Sequence, residues 1–470
     1  MKVLLATVVL ATALAASHAA HAQTLQPPPS SQSNPFMGGV PTEEPQAAPV
    51  SLSIGDAIFR ALDHNLGVLT AEERIGRAKG TRWRALGELL PNVTGRVSES
   101  RQQINLEAFG FPLPAGFPSI VGPFNVFDAR LSLSQSILDY ASLSDARAEG
   151  HNVAAAELSY KSARDVVVLV AANAYLQALA TAARADSVQA QVQTAQAIYD
   201  QAVDLKQNGI VAGIDVLRAD VQLGTEKQRA TAANNDREKA RLQLARIIGL
   251  PAGQAFTLSD VLPNVPAPDM TLDQALERAY ASRADYQAAV ERVKAAEEKR
   301  RSVSAERLPS VHLNADFGDS GLTAADSHSV FSITGAVNVP IFQGDTKGRL
   351  IEAEADLNDR RSEAADLKAG IYYDVKSAFL DLEATREQLE VATRGRDLAA
   401  QQLVQARDRF AAGIANNIEV VQAQEAVALA SDQYISALYG YNLAKGLLAR
   451  GIGDAEQGLR QILGGSPNGR

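Results

Sequence analysis

Cysteine is absent from the 470 residues. That absence excludes a disulfide framework, cysteine-ligated metal sites, a cysteine nucleophile and a lipid-modified N-terminal cysteine. Any attachment to a membrane must then come from the fold itself. Histidine is scarce: six occur, of which His18 and His21 fall in the first 22 residues. The others, His64, His151, His312 and His328, show no H-x-x-x-H or H-E-x-x-H spacing. No Gly-rich phosphate loop, nucleophile elbow or pair of catalytic acids stands out, so nothing points to an enzyme, a cofactor or a metal. Positive charge is in deficit, with a net charge of −9, which argues against nucleic acid as a partner. Long hydrophobic runs are also missing. The stretch Val3–Ala16, between Lys2 and Ala20-His21-Ala22, is shorter than the ~20 residues that span a bilayer. It reads as a cleaved signal peptide over 1–22. No later segment is expected to be long and apolar enough for a transmembrane helix, so the exported chain is soluble or meets a membrane through strands.

What the chain does contain is a duplication. Ile54-Gly55-Asp56-Ala57 recurs as Leu272-Asp273-Gln274-Ala275, and Leu90-Pro91 as Leu308-Pro309, both at an offset of 218. Farther along, Ala174-Tyr175-Leu176 falls on Ala378-Phe379-Leu380, and Gly209-Ile210 on Gly413-Ile414, at an offset of 204. Copy one therefore holds 14 additional residues between Pro91 and Ala174. The copies span 51–250 and 271–453. A Pro/Ser/Gln-rich leader, 23–50, is expected to be extended or disordered. A proline-bearing linker, 251–270, separates the copies, and 454–470 is a short tail.

Each copy runs short helix, strand, loop, strand, long helix, turn, short helix. Helices are expected over 53–88 and 271–307, stopping before Pro91 and Pro309. The period then changes to two. Val93, Gly95 and Val97 alternate with Thr94, Arg96 and Ser98, and Phe127, Ala129, Leu131 and Leu133 with Asp128, Arg130, Ser132 and Ser134. Val311–Phe317 and Phe331–Val339 repeat the pattern. Runs of ~10 residues with one apolar and one polar face suit a membrane barrel with a wet interior. A soluble sheet with one buried face alternates equally well. Residues 141–207 have almost no proline or glycine, and Leu169, Ala172, Leu176, Leu179 and Ala183 step by coiled-coil spacing. A continuous helix there is about 100 Å long, and 345–411 matches it. The short helices near 214–248 and 271–306 are about half that length, so two end to end span one long one. A globular core has no room for such a helix, whereas a cylinder does.

Four strands cannot close a membrane barrel, because an open edge in lipid is prohibitive. Three subunits would supply twelve strands and a water-wide lumen, and two would supply eight and a plugged one. The fold class expected is therefore an α+β membrane protein.

The signal peptide, the duplicated helix–strand–strand–helix order and the turns Gly209-Ile210-Val211-Ala212-Gly213-Ile214-Asp215-Val216 and Gly413-Ile414-Ala415-Asn416-Asn417-Ile418-Glu419-Val420 resemble the TolC-type outer-membrane efflux protein family. The resemblance covers about Ser51 to Gly453. It implies a homotrimer with a twelve-stranded β-barrel in outer-membrane lipid, continued by a long periplasmic α-helical barrel. It implies a passive channel-tunnel for tripartite efflux or type I secretion. The turns would be tips that dock a periplasmic adaptor (membrane fusion) protein, itself bound to an inner-membrane pump of the RND or ABC type. The lipid-anchored branch of the family is not matched. An adaptor with a helical hairpin is the competing reading, but it calls for one central hairpin flanked by β-rich domains.

Asp215 and Glu419 occupy equivalent positions at helix starts, where a carboxylate is stabilised by exposed N–H groups by about 0.3–1 kcal/mol. The family resemblance adds a second role, a periplasmic gate of acidic rings. Glu419 stands at one ring position and Gln422, one turn later, at the other, so the second ring would be uncharged. The family's basic tip residue maps to Ala415, leaving Asp215 to bond with Asn416 or Asn417 instead. Three like charges at a narrow opening attract cations. The extra residues of copy one fall in the strand-to-strand connection 101–125, against 318–327 in copy two.

Overall fold

In the computed structural model, the described residues are 34–456 and 458, except 43, 111–115, 117, 268, 413, 415 and 416. The signal peptide, the first part of the leader and most of the 454–470 tail lie outside them. The first copy comprises β1 (Val50–Leu52), α1 (Ile54–His64), α2 (Leu66–Gly87), β2 (Asn92–Asn105), β3 (Ile120–Leu138), α3 (Tyr140–Gln207) and α4 (Gly213–Ile247). The second comprises β4 (Phe256–Leu258), α5 (Leu272–Ser282), α6 (Ala284–Ala305), β5 (Ser310–Gly321), β6 (Ser327–Asn338), α7 (Thr346–Ala411) and α8 (Asn417–Gly451).

Both copies open on a capping box. Ser53 Oγ accepts from Asp56 N, and the Asp56 carboxylate accepts from Ser53 N; Thr271 and Gln274 repeat the exchange. The single helices expected after these caps are each broken in two. Asn65 (φ −70°, ψ 130°) and Arg283 (φ −63°, ψ 113°) are extended residues between helices. Their sequences could continue a helix. At the first joint Asn65 Nδ2 donates to Phe36 O and Ile247 O (2.9 and 3.3 Å), and at the second Arg283 Nη1 donates to Asp374 Oδ2 of α7 (2.8 Å).

The long helices form as expected: α3 has 68 residues and α7 has 66, each about 100 Å long. Asp139 starts α3 by accepting from Ala141 N and Ser142 N at 2.9 and 3.1 Å. The helices α4 and α8 have 35 residues each. Along α3, the α2 and α6 helices pack beside the first part, and α4 and α8 beside the second. Ser302 Oγ to Ala141 O (2.9 Å) and Tyr439 OH to Asn173 Oδ1 (2.6 Å) mark these two halves. One expectation fails here. A stretch of α3 is long and apolar enough to cross a bilayer, but most of it is buried inside the protein. Val167, Val168, Ala171, Ala172, Tyr175 and Leu176 face Ile58, Leu62, Leu244 and Ile247 in the main core, which explains the apolar composition without lipid.

The proline-bearing stretches are straps rather than loose chain. β1 and β4 pair in parallel, Val50↔Phe256 through Leu52↔Leu258, and so tie the leader to the linker. Upstream, Val40 N donates to His64 O (2.8 Å) and Gln46 N to Gln254 Oε1 (2.6 Å). In the linker, Pro263 O accepts from Asn442 Nδ2 and Val265 O from Lys445 Nζ, at 2.7 and 2.9 Å. Side chains thus satisfy backbone groups that no ladder serves.

The main sheet is antiparallel in the order β2-β3-β5-β6. Its first hairpin is longer than the alternation suggests. Pairing continues through Gln102↔Phe124 to Asn105↔Ile120, past a register shift at Gln102/Ile104. The connection in copy two shrinks to 322–326. Backbone pairing is indifferent to the polar side chains that end the alternation at 102–105, so the extra residues of copy one lengthen strands as well as the loop.

Candidate functional site

Two features stand at opposite ends of the long helices. The first is the sheet. Its register places Val97↔Ala129, Val93↔Leu133↔Ala315↔Ile333 and Leu131↔Phe317↔Phe331 on one face. This face is open: Val97 is 74% exposed, Phe331 77% and Ile333 71%. The opposite face is polar, with Asp316 accepting from Ser132 Oγ (2.5 Å) and Ser332 Oγ (3.2 Å). A soluble sheet would cover the apolar side with helices or a second sheet. Here the outer strands β2 and β6 also leave their far edges unpaired among the described residues.

The second feature is the pair of hairpin tips. Gly209, with φ 72°, ends α3: Ile210 N donates to Leu205 O and Gly209 N to Lys206 O, at 2.9 and 3.0 Å. This left-handed glycine closure satisfies carbonyls that the helix end would leave open. In the second tip Ile414 N donates to Arg409 O at 3.0 Å, the counterpart of the bond from Ile210 to Leu205. Gly413, Ala415 and Asn416 lie outside the described residues, as does the side chain of Asn417.

A shared apolar cluster brings the two tips together. Ile198 and Ala202 of α3, Ala219 of α4, Ala406 and Phe410 of α7, and Val420 and Ala423 of α8 are all buried in it. Val211, expected as a docking residue, packs partly against this cluster. Ile210, Ile214, Leu217 and Ile414 remain exposed around it. Ala212 precedes α4 without a side-chain cap, and Gly213 is its first residue.

The acids sit where the sequence places them, in the first turns of α4 and α8. Asp215 Oδ1 lies 3.3 Å from Arg218 Nη1, one turn along its own helix, and the expected bond to Asn416 or Asn417 falls outside the described residues. Glu419 Oε2 lies 3.4 Å from Arg409 Nε, across the turn. Gln422 is exposed on α8, one turn beyond Glu419. Sequence reasoning missed both arginines. Arg218 was findable from the i,i+3 spacing, and Arg409 from its place in a last helical turn, where a cation complements the dipole. The equivalence is instructive: Gln422 stands where copy one has Arg218, and Arg409 where copy one has Leu205.

No curated protein sequence matches the chain. Solved structures do match its fold. The CmeC outer membrane channel of Campylobacter jejuni superposes with a TM-score of 0.74 at 17% identity, over 91% of this chain and 94% of that one. The outer membrane protein VceC of Vibrio cholerae gives 0.72 at 18% identity, over 85% and 96%. The MtrE outer membrane channel of Neisseria gonorrhoeae, in its open state, gives 0.73 at 17% identity, over 86% and 89%. The sequence profile described as "Outer membrane efflux protein" matches residues 57–250 and 275–465, one span per copy. The chain belongs to the outer membrane efflux protein family.

Proposed function

We propose that three copies of this chain form a passive channel-tunnel, carrying substrates across the periplasm and outer membrane. One observation carries the reading: a four-stranded sheet with an open apolar face, a polar opposite face and two unpaired edges. Such a sheet is stable in lipid only when its edges are joined, and three copies closing edge to edge give twelve strands around a wet lumen. The helices α3 and α7, each about 100 Å long, continue the cylinder into the periplasm. The tips, Gly209 to Gly213 and 413 to 417, dock a periplasmic adaptor that is bound to an inner-membrane pump. Family membership and the two-hairpin duplication both disfavour the alternative that this chain is itself the adaptor.

Glu419, Gln422 and Asp215 line the periplasmic gate in this reading. Three Glu419 carboxylates facing one opening favour cations and bind multivalent ones. Outer-membrane fractions should contain a heat-resistant trimer. In planar bilayers the wild type should conduct, prefer cations and be blocked by a trivalent cation from the periplasmic side. Glu419→Ala should lose most of that block. Equal selectivity and block in the two proteins would remove Glu419 from the gate, and the absence of any conductance would sink the channel reading.

A further inference from the structure

Within one chain α6 packs between two long helices, α3 and α7, whereas α2 packs on α3 alone among the described residues. The duplication says what belongs on the open side of α2. Its two offsets, 218 for the short helices and first strands and 204 for the long helices and second strands, hold for contacts as well as for sequence. The Lys79–Glu157 ion pair of α2 on α3 (3.4 Å) recurs with its charges exchanged as Glu297–Arg361 of α6 on α7 (2.9 Å). The strand register Asn92↔Ser134 recurs as Ser310↔Asn338. The contact of α6 on α3 then has one counterpart left, α2 against α7 of a second copy.

Inside the chain, α6 meets α3 through Ser302 Oγ on Ala141 O and Arg292 Nη2 on Ser159 Oγ, both at 2.9 Å, and through the Lys299–Asp145 ion pair. Ala295 and Ala148, one turn from these residues on the same helix faces, are buried. Shifted by the offsets, Ser302 and Ala141 become Arg84 and Asp345, Arg292 and Ser159 become Arg74 and Glu363, and the two alanines become Arg77 and Glu352. Lys299 and Asp145 become Thr81 and Arg349, the one match without opposite charges or a neutral pair. Arg74, Arg77 and Arg84 are exposed, and none pairs with a carboxylate among the described residues. Glu352 is exposed and likewise meets no cation there. The sheet obeys the same rule. Leu133↔Ala315 of β3 and β5, shifted, sets Val337 of β6 opposite Val97 of β2. Both are exposed on the apolar face, at 65% and 74%, and a slip of one residue would set apolar against polar.

We propose that copies of this chain meet along an arginine–carboxylate seam, in which α2 docks on the start of α7 of the next copy. Arg84 faces the partner's Asp345, Arg77 the partner's Glu352 and Arg74 the partner's Glu363, while β6 pairs with the partner's β2 in the register that sets Val337 on the partner's Val97. Each exposed pair is weak alone. Their pattern selects the partner face: α2 repels another α2 and α7 another α7, so the contact is head to tail and closes into a ring. The inference rests on the reading that three copies join edge to edge.

Arg77 and Glu352 test the seam, because neither pairs within its own chain. With the full-length protein in detergent, Arg77→Glu and Glu352→Arg should each speed the loss of trimer about 10-fold, since three seams each exchange a weak attraction for a repulsion. The double variant should return to within about 2-fold of the parent, as a restored pair requires. Reversals that leave the trimer as long-lived as the parent, or a double variant no better than the singles, overturn the helix seam. Cysteine cross-linking reads the register without altering charge, in a chain that has no cysteine of its own. Ala336→Cys with Ser98→Cys should form disulfides between subunits on oxidation. Ala336→Cys with Thr94→Cys, about 14 Å out of register on the same face, should not. Equal yields in the two overturn the register. A parent chain that stays monomeric refutes the trimer itself, whereas a stable trimer indifferent to both tests refutes only the seam.

Discussion

The two tips keep the same packing and exchange their charges. Both make the same isoleucine hydrogen bond back onto the long helix, and both feed side chains into one apolar cluster. In the first tip, Leu205-Lys206 ends the long helix, and Asp215 pairs with Arg218 inside α4. In the second, Arg409-Phe410 occupies the equivalent positions, and Glu419 pairs across the turn with Arg409. The order of apolar and basic residues is reversed, and Gln422 stands where copy one has Arg218. Among the described residues, tip one's ion pair lies within one helix, whereas tip two's joins its two helices. The joints contrast in the same sense, neutral in copy one and ionic in copy two. Duplication preserved the geometry that packing requires and let the charges diverge.

Removing the apolar half of this contrast should have the largest effect. Phe410, 4% exposed, is the large side chain that joins the tips. Phe410→Ala should cost about 3–5 kcal/mol locally. Faster hydrogen exchange at 198–220 and 403–423 would report it, and a change confined to the second tip would show that the cluster does not couple the hairpins.

The joints come next. Asn65→Ala strands two buried carbonyls and removes the cap on Gly67 N, a loss of about 2–4 kcal/mol. Asp374→Asn should cost under about 1 kcal/mol, because one partner is largely in water. Thermal unfolding of the two variants side by side checks the ordering, and equal losses would erase the distinction between sealed and ionic joints.

A pH test separates the copies again. Burial raises the Asp165 carboxyl from 3.8 to about 6, with Glu456 and Asp285 adding to the shift. Copy two has Ala369 at this position. The raised value means that the contribution is fully favourable below about pH 4 and is lost as pH rises through about 6. Asp165→Asn should therefore gain about 1–2 kcal/mol at pH 7.5 and nothing at pH 4, read as a Tm difference at each pH. A gain independent of pH would assign the effect to packing.

The smallest effect is a transplant. Gln422→Arg restores to the second tip the i,i+3 partner that the first tip has. It should draw Glu419 away from Arg409, change stability by under about 0.5 kcal/mol and weaken cation preference in bilayers. Unchanged selectivity would mean that Glu419 does not face the lumen.

Much of this was readable before the structure. The residues lacking proline and glycine, 141–207 and 345–411, match α3 and α7 to within a residue at each end. Strand alternation gave the apolar face of the sheet but not the strand ends, since pairing at 102–105 rests on backbone groups that carry no compositional signal. The helix breaks at Asn65 and Arg283 were invisible for a related reason. Helical periodicity continues through both, and only partners far along the chain, Ile247 O for one and Asp374 for the other, hold them extended. The tip acids were read as residues, while their arginines, marked only by i,i+3 spacing and a last-turn position, were passed over.

By itself the sequence determined the duplication, the element order, the helix lengths and the two-faced strands, because these follow from local periodicity and from where proline and glycine fall. Only the tertiary structure decided that Arg283 meets Asp374, that the proline-rich segments are straps, and that the two joints differ. Those outcomes depend on contacts between residues roughly 90 to 200 positions apart, where geometry selects one partner among many of like charge.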